Sequence, residues 1–115
     1  MAKITCLVVP VADKAVTTAG TRVALTATET LVRQVVVQWH PSNTGNVYIG
    51  DVTVAAGVGL ILNASNPSVS FAADDTMADE DAVYFDLAKI YIDSANNGDK
   101  VKILYMSLEA ISYNS

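Results

Sequence analysis

The sequence is short of charge, of cations and of reactive side chains. One cysteine, one histidine and three prolines occur among 115 residues. With Cys6 alone, no intrachain disulfide can form. With His40 alone, no histidine pair can hold a metal, and no Cys–His nucleophile has independent support. Charged residues make up 17 % of the chain, below the usual value of about 25 %. Seven Lys and Arg stand against twelve Asp and Glu, a net charge of -5, and no cation lies between Arg33 and Lys89. That balance argues against a nucleic-acid partner, which needs a basic face. It also argues against adsorption to anionic membranes. Gly57-Val58-Gly59 lacks the rest of any phosphate-binding fingerprint. Residues 1–20 lack the basic start, apolar centre and cleavage pattern of a signal peptide. The longest uncharged stretch, Val52–Ala73, contains Asn63, Ser65, Asn66, Pro67, Ser68 and Ser70. A bilayer span needs about 20 predominantly apolar residues, so this stretch is too polar. The expectation is a soluble protein made in the cytoplasm, with no membrane partner.

What the chain has in excess is aliphatic surface. Hydrophobic residues reach 51 %, more than one small core absorbs, and the expected outlet is self-association or a protein partner. The pattern is that of strands. Lys3–Val9 is β-branched and apolar on both faces, which suits a strand covered twice. Pro10 either ends it or places it on a sheet edge. Thr21–Thr28 reads as a strand, and Leu31–Trp39 as one strand with Val35, Val37 and Trp39 towards the core. Pro41–Asn46 is rich in turn formers and reads as a hairpin-like connection into Val47–Asp51. Asp51–Ala56 can continue that strand past a bulge at Gly50. Short strands follow at Leu60–Leu62 and Val69–Phe71. The strands ending at Asp93 and starting at Lys100, joined through Asn96-Asn97-Gly98, make the best hairpin signal. Eight to ten short strands and no convincing helix predict a single all-β domain over residues 1–115, an antiparallel β-sandwich or barrel. Residues 1–30 have two readings, packing on their own domain or engaging neighbouring subunits.

Candidate chemistry is sparse. Cys6 sits in an apolar run and reads as a buried structural thiol. His40 has no evident catalytic partner and reads as a turn or interface residue. The acidic cluster Asp74, Asp75, Asp79, Glu80 and Asp81 offers oxygen ligands for Ca²⁺, but its spacing is not that of an EF-hand, and a solvated acidic loop is the stronger reading. Tyr48, Tyr91, Tyr105 and Tyr113 can form a sugar-stacking platform or pack at sheet faces. No cofactor and no enzymatic activity are expected.

The ordered motifs Asn43-Thr44-Gly45-Asn46-Val47-Tyr48-Ile49-Gly50, Asp86-Leu87-Ala88-Lys89-Ile90-Tyr91-Ile92 and Gly98-Asp99-Lys100-Val101-Lys102-Ile103-Leu104-Tyr105 resemble a pattern recurring in small virion proteins of tailed bacteriophages. The resemblance covers roughly residues 32–105. It implies a structural component of the virion, first of all a capsid cement or decoration protein that self-associates, with a trimer favoured, and binds the major capsid protein. The alternatives are a neck, tail or fibre-associated component, or a carbohydrate-binding module for host attachment. The surfaces expected to carry contacts are the N-terminal strand through Ile4, Leu7 and Val9, and the turn with its flanks, Trp39, His40, Asn43 and Tyr48. The acidic loop, through Asp74, Asp75 and Asp79, and Tyr91 complete them.

Overall fold

In a computed structural model, the protein is an all-β sandwich of antiparallel strands, not closed into a barrel; the structure describes residues 3–72 and 84–111. Ten strands appear among the described residues, in chain order: β1 (Lys3–Ala15), β2 (Val23–Ala24), β3 (Leu31–Val32), β4 (Gln34–Trp39), β5 (Val47–Gly50), β6 (Leu60–Leu62), β7 (Ser68–Ala72), β8 (Phe85–Asp86), β9 (Tyr91–Ser94) and β10 (Lys100–Ile111). One sheet, A, has the order β1-β10-β4-β7; the other, B, has the order β2-β9-β5-β6; β3 and β8 form a small ribbon. Each strand of sheet A is therefore joined in sequence to the strand at the corresponding place in sheet B: β1 to β2, β4 to β5, β6 to β7, β9 to β10. All four joints are arches from one sheet to the other.

This corrects two expectations. Pro41–Asn46 and Ala95–Asp99 are turns, but neither closes a hairpin, because the strands on either side lie in different sheets. The in-sheet hairpin is β5–β6, paired through Val47↔Leu62, Tyr48↔Ile61 and Ile49↔Leu60. Its connection, residues 51–59, is where a continued strand was expected; Val54 N–H donates to Asp51 O and folds it into a turn. The expectation of one strand over Leu31–Trp39 also fails. The chain breaks at Arg33, so Val32 and Val35 are both buried although they would lie on opposite faces of a continuous strand.

The core lies between the sheets. On the inner face of sheet A, Val9, Tyr105, Val35 and Phe71 form one cross-strand row; Val11, Ile103, Val37 and Val69 form the next. Val47, Ile49, Leu62 and Ile92 come from sheet B, with Val16, Leu25, Val32 and Leu87 from the connections and β3. Strand alternation explains the selection in sheet A, where the residues between them are exposed or half-buried; in sheet B, Tyr48 and Asp93 between them are buried as well. Pro10 sits within β1, which is an edge strand, and it is tolerated because an edge strand has one row of backbone groups without a partner. Past it, the register slips between Val11 and Lys14, a bulge that bends the edge. At its other end β1 outruns the sandwich. β4 pairs with β10 only from Val101 to Met106, whereas β1 follows β10 to Lys3↔Ile111. A two-stranded ribbon thus extends the molecule, whose extents are 55 × 25 × 25 Å.

The β8–β9 link is a 3-10 turn, Leu87–Lys89, capped by Asp86. Asp86 Oδ1 accepts from Ala88 N–H (2.9 Å) and Thr30 N–H (3.0 Å), latching the β2–β3 connection to β8. The Thr30 and Ala88 N–H groups favour the charged carboxylate and hold the Asp86 pKa below its ordinary value of 3.8. A carboxyl lowered in this way stabilises the fold where it is ionised, fully above its unfolded value, and the benefit is lost as pH falls through the folded value.

Two outcomes are expected. Leu62→Ala, which empties a fully buried site in the centre of the sandwich, should cost about 2–5 kcal/mol, read as a fall in the denaturant midpoint at unchanged slope. In Asp86→Asn, the midpoint should be lower than wild type at pH 7, and the gap should narrow below pH 3.8; parallel pH curves would refute the latch.

Candidate functional site

The turn tip singled out in the sequence is tied down rather than free. Its partner is the second arch. Asp99, buried, accepts from Thr44 N–H (Oδ1, 3.1 Å) and Gly45 N–H (Oδ2, 3.0 Å). Asn43 donates from Nδ2 to Lys100 O (2.7 Å), and its Oδ1 accepts from Lys100 N–H (2.8 Å), so its amide pairs with one residue of β10 as a strand would. Trp39 Nε1 donates to Gly45 O (2.8 Å) and closes the tip over its own ring. Asn46 O accepts from Ala95 N–H (3.0 Å), and Asn96 Nδ2 donates to Thr44 Oγ1 (3.1 Å).

The first arch joins the same network. Val16 N–H donates to Asp99 O (2.9 Å) and Gly98 N–H to Val16 O (2.8 Å). Asn97 Oδ1 accepts from Ala19 N–H (2.8 Å), and Asp93 Oδ1 from Gly20 N–H (2.9 Å) and Ser94 N–H (2.8 Å). Gly98 has φ +83°, a conformation that an L side chain rarely adopts, which is why the Asn-Gly signal falls here. The buried polar residues of the described chain, Asn43, Asp93, Ser94 and Asp99, all belong to this end. Each has its hydrogen bonds, and no described buried side-chain donor or acceptor is left without one.

His40 has gathered partners that the sequence did not reveal. Its Nδ1 accepts from Ser42 N–H (3.0 Å) and lies 2.8 Å from Ser42 Oγ; its Nε2 lies 3.3 Å from Asp13 Oδ2. Asp13 also meets Lys102 Nζ at 3.6 Å. A serine, a histidine and an aspartate in line invite comparison with a nucleophilic triad. In such a triad the imidazole lone pair is free to take the serine proton. Here that lone pair already receives a backbone N–H from Ser42 itself, so the contact caps the turn and the imidazole is no free base. Asp13 could not be linked to His40 beforehand because the β1 bulge sets their meeting.

The remaining expected contact residues scatter. Leu7 is 39 % exposed, and Val9 is half-buried on the inner face of sheet A. Ile4 pairs with Ala110 in the β1–β10 ribbon. Asn43 and Tyr48 are buried, and Trp39 packs against the core, so the flanks of the tip serve the interior of the single chain. Tyr91 is half-buried in β9. Asp74, Asp75 and Asp79 lie outside the described residues. The tyrosines do not line up as a stacking platform among the described residues: Tyr48 is buried, Tyr105 packs on the core, and Tyr84 lies under the Arg33 guanidinium at 5.3 Å. Tyr113 lies outside the described residues. Among the described residues no group of three His, Cys, Asp or Glu is placed to hold a metal.

The surface that sequence reasoning missed is the outer face of sheet A. Its rows read Val8–Met106–Gln34–Ala72 and Pro10–Leu104–Val36–Ser70, followed by Lys102–Gln38–Ser68. The signal was present in the Val35-Val36-Val37 run, which supplies valine to both faces. Pro10, Leu104 and Val36 floor an open depression of about 390 Å³, rimmed by Asp13, Gln38, Ser68 and Lys102. A second, apolar slot of about 200 Å³ opens between Ile49, Phe71, Phe85 and Ile90, with Asp51 and Lys89 at its mouth. Family models, curated proteins and solved structures were compared with this chain, and none matched.

Asp99→Asn places an amide N–H₂ where one of two backbone donors now points, which leaves a buried N–H unmatched. It should destabilise by about 1–3 kcal/mol, measured by chemical denaturation. Asn43→Asp, which cannot donate to Lys100 O, should behave alike. A change within experimental error for both would mean that the arches hold without these groups.

Proposed function

We propose that this chain is a structural component of a tailed-bacteriophage virion, a cement or decoration protein that self-associates and binds the outer surface of the capsid. The order and spacing of the motifs over residues 32–105 carry the family reading. The single structural observation in its support is a sheet with apolar residues on both faces, one face spent on the core and the other, with Val36, Leu104 and Met106 half-buried, bearing an open depression. The part of Val36, Leu104 and Met106 that the single chain leaves exposed would gain from being covered by a partner. Among the described residues, Asp93, Asp99 and Asn43 are engaged in the arches and His40 in its turn. Binding through several copies would let modest single contacts sum to durable attachment. A trimer is the oligomer favoured by the family reading, and the major capsid protein is the partner.

The test is cosedimentation of the purified chain with shells assembled from the capsid protein encoded beside it. Binding should saturate at a fixed ratio per shell, and the bound shells should withstand heating or low ionic strength that opens bare ones. Absence of binding at any ratio would overturn the proposal.

A further inference from the structure

Of the seven asparagines in the chain, one is followed by glycine. That pair, Asn97-Gly98, lies in the connection between β9 and β10. An Asn-Gly pair carries its own reaction. The backbone nitrogen of the glycine attacks the side-chain Cγ of the asparagine, the new N–C bond closes a five-membered succinimide, and ammonia leaves. Water then opens the ring at either carbonyl. The product is aspartate, or isoaspartate with the main chain rerouted through the side chain. Over both steps one water is taken up and one ammonia released, and nothing is oxidised or reduced. Glycine favours closure because no Cβ crowds the approach of its nitrogen. Each of the other six asparagines precedes a residue with a Cβ, and Pro67 after Asn66 has no N–H to lose.

In the folded chain both reacting groups are occupied, and by the same segment. Gly98 N–H donates to Val16 O (2.8 Å), and Asn97 Oδ1 accepts from Ala19 N–H (2.8 Å). Ring closure needs the Gly98 nitrogen to shed its proton and turn towards Cγ, so both hydrogen bonds have to break. The segment that makes them is the first arch. It is held in its turn by Val16 N–H on Asp99 O (2.9 Å), by Gly20 N–H on Asp93 Oδ1 (2.9 Å) and by the full burial of Val16. Asn97 and Gly98 are themselves exposed, so the water that completes the reaction is at hand.

We propose that Asn97-Gly98 is a site of spontaneous deamidation gated by the first arch, closed to reaction in the folded chain and modified when residues 16–20 lift away from the β9–β10 connection. The step has a direction. Aspartate at position 97 keeps an oxygen for Ala19 N–H. Isoaspartate adds a main-chain methylene between Asp93 and Asp99, whose carboxylates then no longer stand at the separation that serves Gly20 on one side and Thr44 and Gly45 on the other. An opening that ends in isoaspartate thus leaves arches that cannot close again in register.

The full chain is incubated in mildly alkaline buffer, folded and in concentrated denaturant. Products are read by intact mass and by peptide mapping that separates aspartate from isoaspartate. In denaturant the modification should fall on Asn97 first. In the folded chain it should be slower by about tenfold or more, and at low denaturant its rate should rise in parallel with hydrogen exchange of the Gly98 N–H, since both need the same opening. Val16→Ala, which trims the buried anchor of the arch and keeps its backbone groups, should speed modification of the folded chain severalfold; the denaturant series on wild type decides alone if that variant does not fold. The isoaspartate form, separated by ion exchange, should have a lower denaturant midpoint than Asn97→Asp. Equal rates in the folded and unfolded chain, another asparagine reacting ahead of Asn97 in denaturant, or a rate that stays flat while Gly98 exchange accelerates would each overturn the gate. Equal midpoints for isoaspartate and Asn97→Asp would overturn the one-way step.

Discussion

The two-sheet architecture depends on one carboxylate turned inward. Asp99 sits at the joint between β9 and β10 and accepts two backbone N–H groups from the opposite arch, while its own carbonyl accepts from Val16. A β-arch carries its chain out of one sheet and into another, so its backbone groups lose the ladder partners that a hairpin would supply. Buried backbone donors left unpaired cost about as much as a lost hydrogen bond. The arches of this chain satisfy one another instead. Asn43 stands in for a strand beside Lys100, Asp99 for a strand beside Thr44 and Gly45, and Asp93 for one beside Gly20. Removing one member leaves the others buried without partners, which makes the cluster cooperative in a way that the aliphatic core is not.

That cluster also explains what could be read from the sequence and what could not. The turns at Pro41–Asn46 and Asn96–Gly98 were legible because Pro, Asn and Gly serve local backbone conformations. Whether the strands on either side stay in one sheet is not a local property. It is decided by Asp99 reaching residues 54 and 55 positions away, and nothing in the spacing of Asn96-Asn97-Gly98 distinguishes an arch from a hairpin. For the same reason the burial of Asn43, expected as a contact residue, and of Asp99, at the end of a turn signal, was not legible. The strand class was legible from valine and threonine content. The break at Arg33 was not, since Leu31–Trp39 alternates well enough as one strand, and only the small β3–β8 ribbon, Leu31↔Asp86 and Val32↔Phe85, pulls its first two residues away.

The excess of apolar residues was visible from composition, but its address was not. Composition pointed to the N-terminal strand because Lys3–Val9 carries apolar residues on both faces. The register shows the property to be shared across β1, β10 and β4: the rows through Val8 and Pro10 run on into Met106 and Leu104 and then into Gln34 and Val36. A strand read alone gives alternation along the chain; the outer-face pattern runs across it, between residues about 70 and 95 positions apart in sequence. Candidate contacts chosen one segment at a time therefore mixed interior residues, such as Tyr48 and Asn43, with surface ones such as Leu7.

Edge and face solve different problems in this sheet. β1 is a long edge strand, and a long flat edge is a template for uncontrolled pairing. Pro10 removes one donor from it, and the bulge between Val11 and Lys14 twists the rest of the strand out of line. The same Pro10 is part of the floor of the outer depression. One residue thus interrupts the backbone row of the edge and lends its ring to the apolar floor of the face. Backbone pairing is indifferent to sequence and open-ended, whereas side-chain packing selects shape and charge and can close on itself. A chain with this much apolar surface and only a modest net charge needs that distinction, because apolar surface joined to an open strand edge is a route to aggregation.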